Sequence, residues 1–233
     1  MPKAPIVLAV DTPDLATAVE WVRATQEYVS VYKLGLEFFL SFGSDGVAAI
    51  KDVTDSDIFL DLKLHDIPHT VRGAAQAVAH LSPRYLTVHA SGSSAMIKAA
   101  VEASSETHIT GVTILTSLSE ADVHTIGFKD NALDSAVGLA TLAVASGATA
   151  IVCSPLEISA IRSAVGAAPI IITPGVRPAD SADSDDQART MTPKAAIDNG
   201  ANLVVIGRPI TQRWTLGAAA MRDRAAEISA SLI

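Results

Sequence analysis

The chain has 233 residues, of which 49% are hydrophobic and 18% are charged, and this composition excludes an intrinsically disordered protein. Seventeen Lys and Arg residues stand against 25 Asp and Glu residues, which gives a formal net charge of −8. Broad binding to nucleic acid or to an anionic membrane needs a basic face, so we expect neither partner. The single cysteine, Cys153, rules out an intramolecular disulfide and a zinc site built from several cysteines.

The predicted elements alternate between short β-branched runs and Ala-rich segments of helical spacing. In chain order they are strand Ile6–Asp11, helix Leu15–Tyr28, strand Val29–Gly35, helix Phe38–Asp52, strand Ile58–Leu64, helix Val71–His80, strand Tyr85–Ala90, helix Ser94–Ser104, strand Ile109–Thr116, helix Asn131–Ser146, strand Ala150–Ser154, helix Leu156–Val165, strand Ile170–Gly175, helix Thr192–Asn199, strand Leu203–Gly207 and helix Leu216–Ser231. Eight strand–helix units without a linker predict an α/β protein, a (β/α)₈ TIM barrel forming a single domain over residues 1–233. The alternative is an open doubly wound sheet, but no Gly-x-Gly-x-x-Gly follows the first strand.

Two apolar stretches of the chain could suggest export or a membrane span, and neither fits. The apolar run before Asp11 is only about five residues long, too short for a secretory signal, so we expect a cytoplasmic protein. The uncharged stretch from Ser135 to Leu156 is long enough to span a bilayer, but Gly147 divides it. A helix that ends at this glycine and a strand that follows it explain the stretch better.

Charged and polar residues interrupt the apolar strands near their carboxyl ends, where barrel enzymes carry their active sites. They are Asp11 after the first strand, Lys33 in the second, Asp61, Lys63, His65 and Asp66 at the third, His89 at the fourth and Thr116 and Ser117 at the fifth. Because strand side chains alternate, Asp61 and Lys63 share one face, and Lys33 completes an alternating Lys–Asp–Lys–Asp array. A purely structural ion-pair network is the alternative, but desolvating four charges is costly without a further purpose.

Such an array favours chemistry that creates a carbanion. Neighbouring carboxylates keep Lys63 protonated, and Asp61 would repel a substrate carboxylate placed beside it. The repulsion ends when that group leaves as neutral CO₂, and Lys63 can then protonate the carbanion. The residues therefore permit a decarboxylase or another carbanion-forming enzyme, without naming the substrate.

A second candidate site follows the last two strands. Gly175, Arg177, Gly207 and Arg208 suit a phosphate site, because glycine lets the backbone approach the ligand and Arg chelates phosphate oxygens. The alternative is that the glycines are turn residues and the arginines lie on the solvated surface. Between the strands, the polar segment Pro178–Arg189 is predicted to be a mobile lid.

The run Asp61-Leu62-Lys63-Leu64-His65-Asp66-Ile67-Pro68-His69-Thr70 closely resembles the signature of the orotidine 5′-phosphate decarboxylase family, in its shorter bacterial type. The resemblance extends from Val7 to about Thr211. The supporting motifs are Leu8-Ala9-Val10-Asp11, Tyr32-Lys33-Leu34-Gly35, Thr87-Val88-His89-Ala90, Leu115-Thr116-Ser117, Thr173-Pro174-Gly175-Val176-Arg177, Met191-Thr192-Pro193 and Val205-Ile206-Gly207-Arg208-Pro209-Ile210. One departure is His69, where the family most often has Asn.

The resemblance implies conversion of orotidine 5′-monophosphate to UMP and CO₂ in de novo pyrimidine biosynthesis, with no metal and no organic cofactor. Lys63 would protonate C6, Asp61 would lie beside the departing carboxylate, Lys33 would hold Asp61 and the ribose, and Asp11 would bind a ribose hydroxyl. Asp66 and Thr70 would reach the site of the other subunit in an obligatory homodimer. The remaining implied substrate contacts are a hydroxyl from Thr116, Ser117 or Ser119, then Pro174, and, for the phosphate or the closing flap, Arg177, Gln187, Gly207 and Arg208.

Two other functions stay open at this point. One is a Mg²⁺-dependent sugar-phosphate decarboxylase or aldolase built on a related barrel, which would need metal ligands at the strand ends, a Glu on the second strand among them. Here the second strand offers Lys33, and Glu37 lies a helical turn beyond it. The other is a non-catalytic nucleotide-binding barrel that keeps the phosphate loops and uses the charge array only for structure.

Overall fold

Eight parallel strands close into a barrel in the computed structural model, which describes residues 3–178 and 191–232. Each strand pairs with the next one in the chain, and the last pairs with the first. The strands are β1 Ala4–Ala9, β2 Val29–Gly35, β3 Asp57–Leu64, β4 Tyr85–His89, β5 His108–Val112, β6 Ala150–Val152, β7 Ile170–Thr173 and β8 Leu203–Ile206. The predicted (β/α)₈ barrel is confirmed.

Helices follow each strand, as predicted. They are α1 Leu15–Thr25, α2 Leu36–Lys51, α3 Pro68–Ala79, α4 Ser94–Ala103, α5 Glu120–Thr125, α6 Ala132–Ala145, α7 Ile158–Val165, α8 Pro193–Asp198, α9 Arg208–Thr211 and α10 Ala218–Ala230. Short 3₁₀ turns add Ala90–Gly92, Pro155–Glu157 and Gln212–Leu216. Within the described residues, no helix combines the length and the apolar character needed to cross a membrane.

The strands are apolar along their length because both of their faces are covered. In β1, Ile6 and Leu8 belong to the large core shared with the helices, whereas Val7 belongs to a smaller cluster of strand residues alone. That smaller cluster fills the inside of the barrel, and Phe59 and Tyr85 contribute its largest side chains, with ring centroids 5.6 Å apart. The inside of the barrel is thus a packed core.

The helix boundaries follow their caps. Gly147 and Gly200, predicted to follow helix ends, adopt positive φ angles of 97° and 108° just after α6 and α8. Thr192 caps α8 through its hydroxyl, with Pro193 in the first turn. At α1 the sequence Thr12-Pro13 predicts a cap from the Thr12 hydroxyl, but the structure differs. Asp14 is the capping residue, because its carboxylate accepts the backbone N–H of Thr17 at 2.8 Å.

Two local features were not predicted. Helix α5 lies between the fifth strand and α6, and Ser119 and Asp122 form a reciprocal capping box at its start. In β3, the pairing with β4 shifts register between Leu60 and Leu64, and Lys63 adopts a positive φ of 48°. The register shift and the positive φ are typical of a β-bulge, which re-aims side chains next to it. It falls within the segment that carries the predicted chemistry.

Candidate active site

A cavity of about 320 Å³ opens at the carboxyl ends of the strands. Its volume lies within the range of about 300–1,000 Å³ typical of small-molecule sites. Its wall is apolar at Phe59, Val112, Ile114, Val152 and Val205, and its charged lining residues are Asp11, Lys33, Asp61, Lys63, Arg177 and Arg208. Thr116, Cys153, Pro174, Gly175 and Gly207 complete much of the remaining surface. Most of the predicted site residues therefore meet in one place.

Four of the charged residues form a continuous chain of ion pairs. Lys33 Nζ lies 3.4 Å from Asp11 Oδ1 and 3.5 Å from Asp61 Oδ2. Lys63 Nζ donates to the same Asp61 Oδ2 at 2.8 Å. The order along the chain is therefore Asp11–Lys33–Asp61–Lys63, and we call these four residues the charge array. Asp61 sits at its centre and contacts both ammonium groups through one oxygen.

Strand register and one glycine bring the array together. Ala9 pairs with Lys33, and Gly35 pairs with Asp61, so the ends of β1, β2 and β3 lie side by side. A Cβ atom at Gly35 would lie 3.1 Å from Lys33 Nζ and 3.3 Å from Asp11 Oδ1, closer than ordinary contact. Glycine at this position therefore lets the ammonium approach the carboxylate across the strand end.

Burial and charge act against each other on these groups, and charge prevails. Burial alone would raise the pKa of Asp61, but Lys33 and Lys63, together with the hydroxyl of Thr87, hold it below its ordinary value. Burial alone would lower the pKa of Lys33, but Asp61 and Asp11 raise it above its ordinary value. Both groups are therefore charged at neutral pH, and the cavity contains a fixed alternation of positive and negative groups.

Two histidines lie beside the array. The rings of His65 and His89 are 5.3 Å apart, and a Cβ atom at Gly92 would lie 3.0 Å from the His65 ring. Burial, followed by the charges of His65 and Lys63, lowers the pKa of His89. Cys153 is buried in the cavity wall, and burial raises the pKa of its thiol, which keeps it protonated.

The segments after β7 and β8 carry the predicted phosphate residues. Gly175 adopts a positive φ of 78°, a conformation that favours glycine, and it turns the chain after β7. The backbone N–H of Arg177 then donates to the carbonyl of Met191 at 2.8 Å. Gly207 follows β8 directly, and a Cβ atom there would lie 3.4 Å from the Cβ of Ala9.

Four predicted residues, Asp66, Thr70, Ser117 and Ser119, lie outside this cavity, and Gln187 lies outside the described residues. Asp66 is exposed on the segment that joins β3 to α3, and its carboxylate accepts the N–H of Ile67 at 2.6 Å. Thr70 is exposed in the first turn of α3. Ser119 caps α5, and its hydroxyl donates to Asp122 at 2.6 Å. Gln187 and most of the predicted lid Pro178–Arg189 fall in the range 179–190, which the structure does not describe.

A sequence model of the orotidine 5′-phosphate decarboxylase / HUMPS family matches residues 4–222. The chain belongs to this family. A protein of Thermobifida fusca named orotidine 5′-phosphate decarboxylase is 52% identical over 217 residues, covering 93% of each chain. One of the same name from Frankia casuarinae is 45% identical over 246 residues, covering 98% of this chain and 89% of its own. The crystal structure of orotidine 5′-phosphate decarboxylase from Lactobacillus acidophilus superimposes with a TM-score of 0.80 at 31% identity, covering 97% of this chain and 99% of that one.

The sequence of this family member did not lead to one residue of the site, Thr87. Thr87 lies in β4, fully buried, and its hydroxyl donates to Asp61 Oδ1 at 3.1 Å. Its position in a supporting motif was visible, but nothing in the sequence of β4 alone shows that its side chain faces an acid on the neighbouring strand β3. A hydroxyl inside an otherwise apolar barrel strand was the available signal, since buried polar groups are paired.

Proposed function

We propose that this chain decarboxylates orotidine 5′-phosphate to UMP and CO₂, with the charge array as its catalytic centre. The observation that carries the proposal is the 2.8 Å contact between Lys63 Nζ and Asp61 Oδ2 inside the cavity of a chain that belongs to this family. Relatives that cover most of the chain carry the name of this enzyme. An acid and an ammonium held in contact are what loss of a carboxylate and protonation of the resulting carbon require.

The reaction breaks one carbon–carbon bond and forms one carbon–hydrogen bond. The bond between C6 of the pyrimidine and its carboxylate breaks, CO₂ leaves, and the electron pair stays on C6. Lys63 then gives a proton from Nζ to C6 and takes one back from water. The Asp61 carboxylate repels the substrate carboxylate but not the neutral CO₂, so its influence favours the transition state over the bound substrate.

The rest of the cavity suits the rest of the nucleotide. Lys33 and Asp11 continue the array away from Lys63, where they can bind ribose hydroxyls. Thr116 is half-buried in the cavity wall and is the best placed of the three candidate hydroxyls for the pyrimidine, since Ser117 is exposed and Ser119 caps a helix.

Arginines beside glycines suit the 5′-phosphate. Arg177 and Arg208 line the cavity, with Pro174 and Gly207 next to them. A phosphate held there by guanidinium groups and by backbone at Gly207 would place the pyrimidine toward Lys63. The role of Gln187 as a further phosphate contact stays a prediction, as does the cytoplasmic location.

The position of Lys33 argues against the Mg²⁺-dependent alternative. Its ammonium lies within 3.4 and 3.5 Å of Asp11 and Asp61, the two carboxylates nearest to it in the cavity. A divalent cation drawn to these carboxylates would have to displace or approach a positive charge already there. Glu37 does not supply a replacement ligand, because it is exposed in the first turn of α2. Both functions use barrels of similar shape, so the shape of the barrel does not separate them. The Lys33 ammonium between Asp11 and Asp61 does, and it supports decarboxylation without a metal.

We further propose that the working enzyme is a homodimer, to which each chain contributes Asp66 and Thr70 at its partner's site. Asp66 is exposed on the segment after β3 and Thr70 in the first turn of α3, and Ile67 between them is 64% exposed. Leu36 and Leu40, exposed by 48% and 81%, follow the neighbouring strand β2. Apolar side chains exposed at one rim of the barrel suit burial against a second copy of the chain.

An absorbance assay with orotidine 5′-phosphate, run with and without a chelator, tests the activity. We expect turnover that the chelator does not change. Lys63→Ala should lose activity at least about a hundredfold, because the proton donor is gone, while circular dichroism shows an intact fold. Tight UMP binding without turnover would favour the non-catalytic barrel, and chelator-sensitive turnover of a ketose phosphate would favour the metal-dependent enzyme.

The dimer is tested separately by sedimentation. Ile67→Asp should shift the protein from dimer to monomer and lower activity at low protein concentration. Leu133→Asp is the matched control, because Leu133 is 41% exposed on α6, far along the chain from the proposed interface. A wild-type chain that sediments as a fully active monomer would refute the shared site.

A further inference from the structure

Thr87 occupies an unusual place for a polar side chain. It lies in the middle of β4, is fully buried and does not line the cavity. Its backbone pairs with Thr110 of β5, another fully buried threonine. The two differ in their partners: the Thr110 hydroxyl donates to the carbonyl of His108 at 2.9 Å, whereas the Thr87 hydroxyl contacts the charge array.

The Thr87 hydroxyl forms hydrogen bonds with two residues of the array. The backbone N–H of Lys63 donates to Thr87 Oγ1 at 2.8 Å, and Thr87 Oγ1 donates to Asp61 Oδ1 at 3.1 Å. An N–H can only donate and an ionised carboxylate can only accept, so the direction of both bonds is fixed. The single hydroxyl hydrogen is therefore committed to Asp61.

This arrangement fixes the rotation of the Asp61 carboxylate. Its Oδ1 atom takes the hydroxyl of Thr87, and its Oδ2 atom takes Lys63 at 2.8 Å and Lys33 at 3.5 Å. Without the hydroxyl, the carboxylate could turn and share its oxygens differently between the two ammonium groups. The bond to Oδ1 thus decides which oxygen faces the proton donor.

The same hydroxyl supports the backbone of Lys63. The pairing between β3 and β4 shifts register between Leu60 and Leu64. Lys63 has a φ of 48°, a backbone conformation that residues other than glycine adopt rarely. At the bulge the Lys63 N–H donates to the side chain of Thr87 in β4. A strained backbone persists when its surroundings hold it, and Thr87 supplies that support.

We propose that Thr87 is a positioning residue of the active site: one hydroxyl orients the Asp61 carboxylate and holds the bulge that aims Lys63 into the cavity. The inference rests on the proposed function only for its kinetic consequences. Thr87 acts through the two residues that it contacts, so its loss should affect the rate of the chemical step more than the binding of the nucleotide.

Three variants test the proposal by steady-state kinetics with orotidine 5′-phosphate. Thr87→Val removes the hydroxyl at nearly constant volume, and we expect kcat to fall about tenfold to a hundredfold with KM changed less than threefold. Thr87→Ser keeps the hydroxyl and should stay within about threefold of the wild type in kcat. Thr110→Val is the matched control for loss of a buried threonine hydroxyl on a strand, and it should keep wild-type kcat whatever it does to stability. If Thr87→Val does not fold, Thr87→Ala replaces it.

A second readout is independent of turnover. The hydroxyl favours the ionised form of Asp61, so its loss should raise the pKa of that carboxyl, measured by carbon NMR with Asp61→Asn to assign the signal. Thr87→Ser should restore the wild-type value, and Thr110→Val should leave it unchanged. An unchanged Asp61 titration in Thr87→Val, or equal kcat in the two valine variants, overturns the positioning role. Absence of turnover in the wild type would instead refute the proposed function and leave the titration to decide on Thr87.

Discussion

Replacing Asp61 with Asn removes one negative charge from the centre of the array and keeps the side chain nearly the same size. Asp61 contacts both Lys63, at 2.8 Å, and Lys33, at 3.5 Å. The two ammonium groups lose their shared counter-ion, and the charge that repels the substrate carboxylate disappears. The substitution therefore separates two effects, the repulsion of bound substrate and the support of the proton donor.

The size of the first effect follows from Coulomb's law. At an effective dielectric constant of about 20, a substrate carboxylate about 4 Å from Asp61 is repelled by about 4 kcal/mol. This repulsion is lost when neutral CO₂ forms, so removing it stabilises the bound substrate and not the transition state. Since about 1.4 kcal/mol corresponds to a factor of ten, kcat should fall by up to about three orders of magnitude.

The assay compares the KM for orotidine 5′-phosphate with the inhibition constant for UMP, which lacks the carboxylate. In Asp61→Asn, kcat should fall while the ratio of the UMP inhibition constant to the substrate KM rises. The measurement is made at a temperature where thermal denaturation shows the variant folded, because removing one partner of a buried ion pair costs about 3 kcal/mol or more. A wild-type kcat, or substrate binding that weakens in step with UMP binding, would refute the repulsion argument.

Three further predictions use other parts of the site. Arg208→Ala should raise the KM for orotidine 5′-phosphate by about tenfold or more, because a charge-assisted contact to phosphate is lost, and kinetics with unphosphorylated orotidine should be unaffected; an equal loss with both substrates would place the phosphate elsewhere. Gly35→Ala should lower kcat/KM about tenfold, because the added Cβ would lie 3.1 Å from Lys33 Nζ and push the ammonium away. Gly138→Ala is the control: an added Cβ there has nothing within 4 Å, so the kinetics should stay unchanged, and because Gly138 lies in a helix the free energy of unfolding in urea should rise by about 0.5–1 kcal/mol. The folded-state pKa of Asp61 is lowered, so its contribution to stability is present above its unfolded pKa of about 4 and is lost as the pH falls through the lower folded value. In urea denaturation, the free energy of unfolding of Asp61→Asn should therefore fall less steeply with acid than that of the wild type.

The barrel could be predicted because each level of the sequence agreed with it. Apolar runs without in–out alternation indicate strands covered on both sides, and the Ala-rich segments between them have helical spacing. The rule that chemistry lies at the carboxyl ends of strands then selected Lys33, Asp61 and Lys63, which do meet there. Helix α5 was missed although its signal was present, since Ser119 and Asp122 have the spacing of a capping box.

Other features depend on contacts between strands that one strand does not reveal. Within one chain, Asp11 completes the array, because the register of β1 and β2 places it beside Lys33. Asp66 instead lies on the exposed segment after β3. At the bulge, the Lys63 N–H donates to the hydroxyl of Thr87, which belongs to β4. Alternation along β3 correctly put Asp61 and Lys63 together, but it gave no sign of the positive φ.

The pairing of β1 with β8 has a consequence for the making of this protein. Asp11 comes from the first strand unit, and Arg208 follows the last, yet both border the same cavity. A nascent chain emerging from the ribosome therefore has no complete nucleotide pocket until more than two hundred residues have been synthesised. Until then β1 and β7 each offer an open edge, and a prematurely terminated product is expected to associate through those edges rather than to persist as a weaker enzyme.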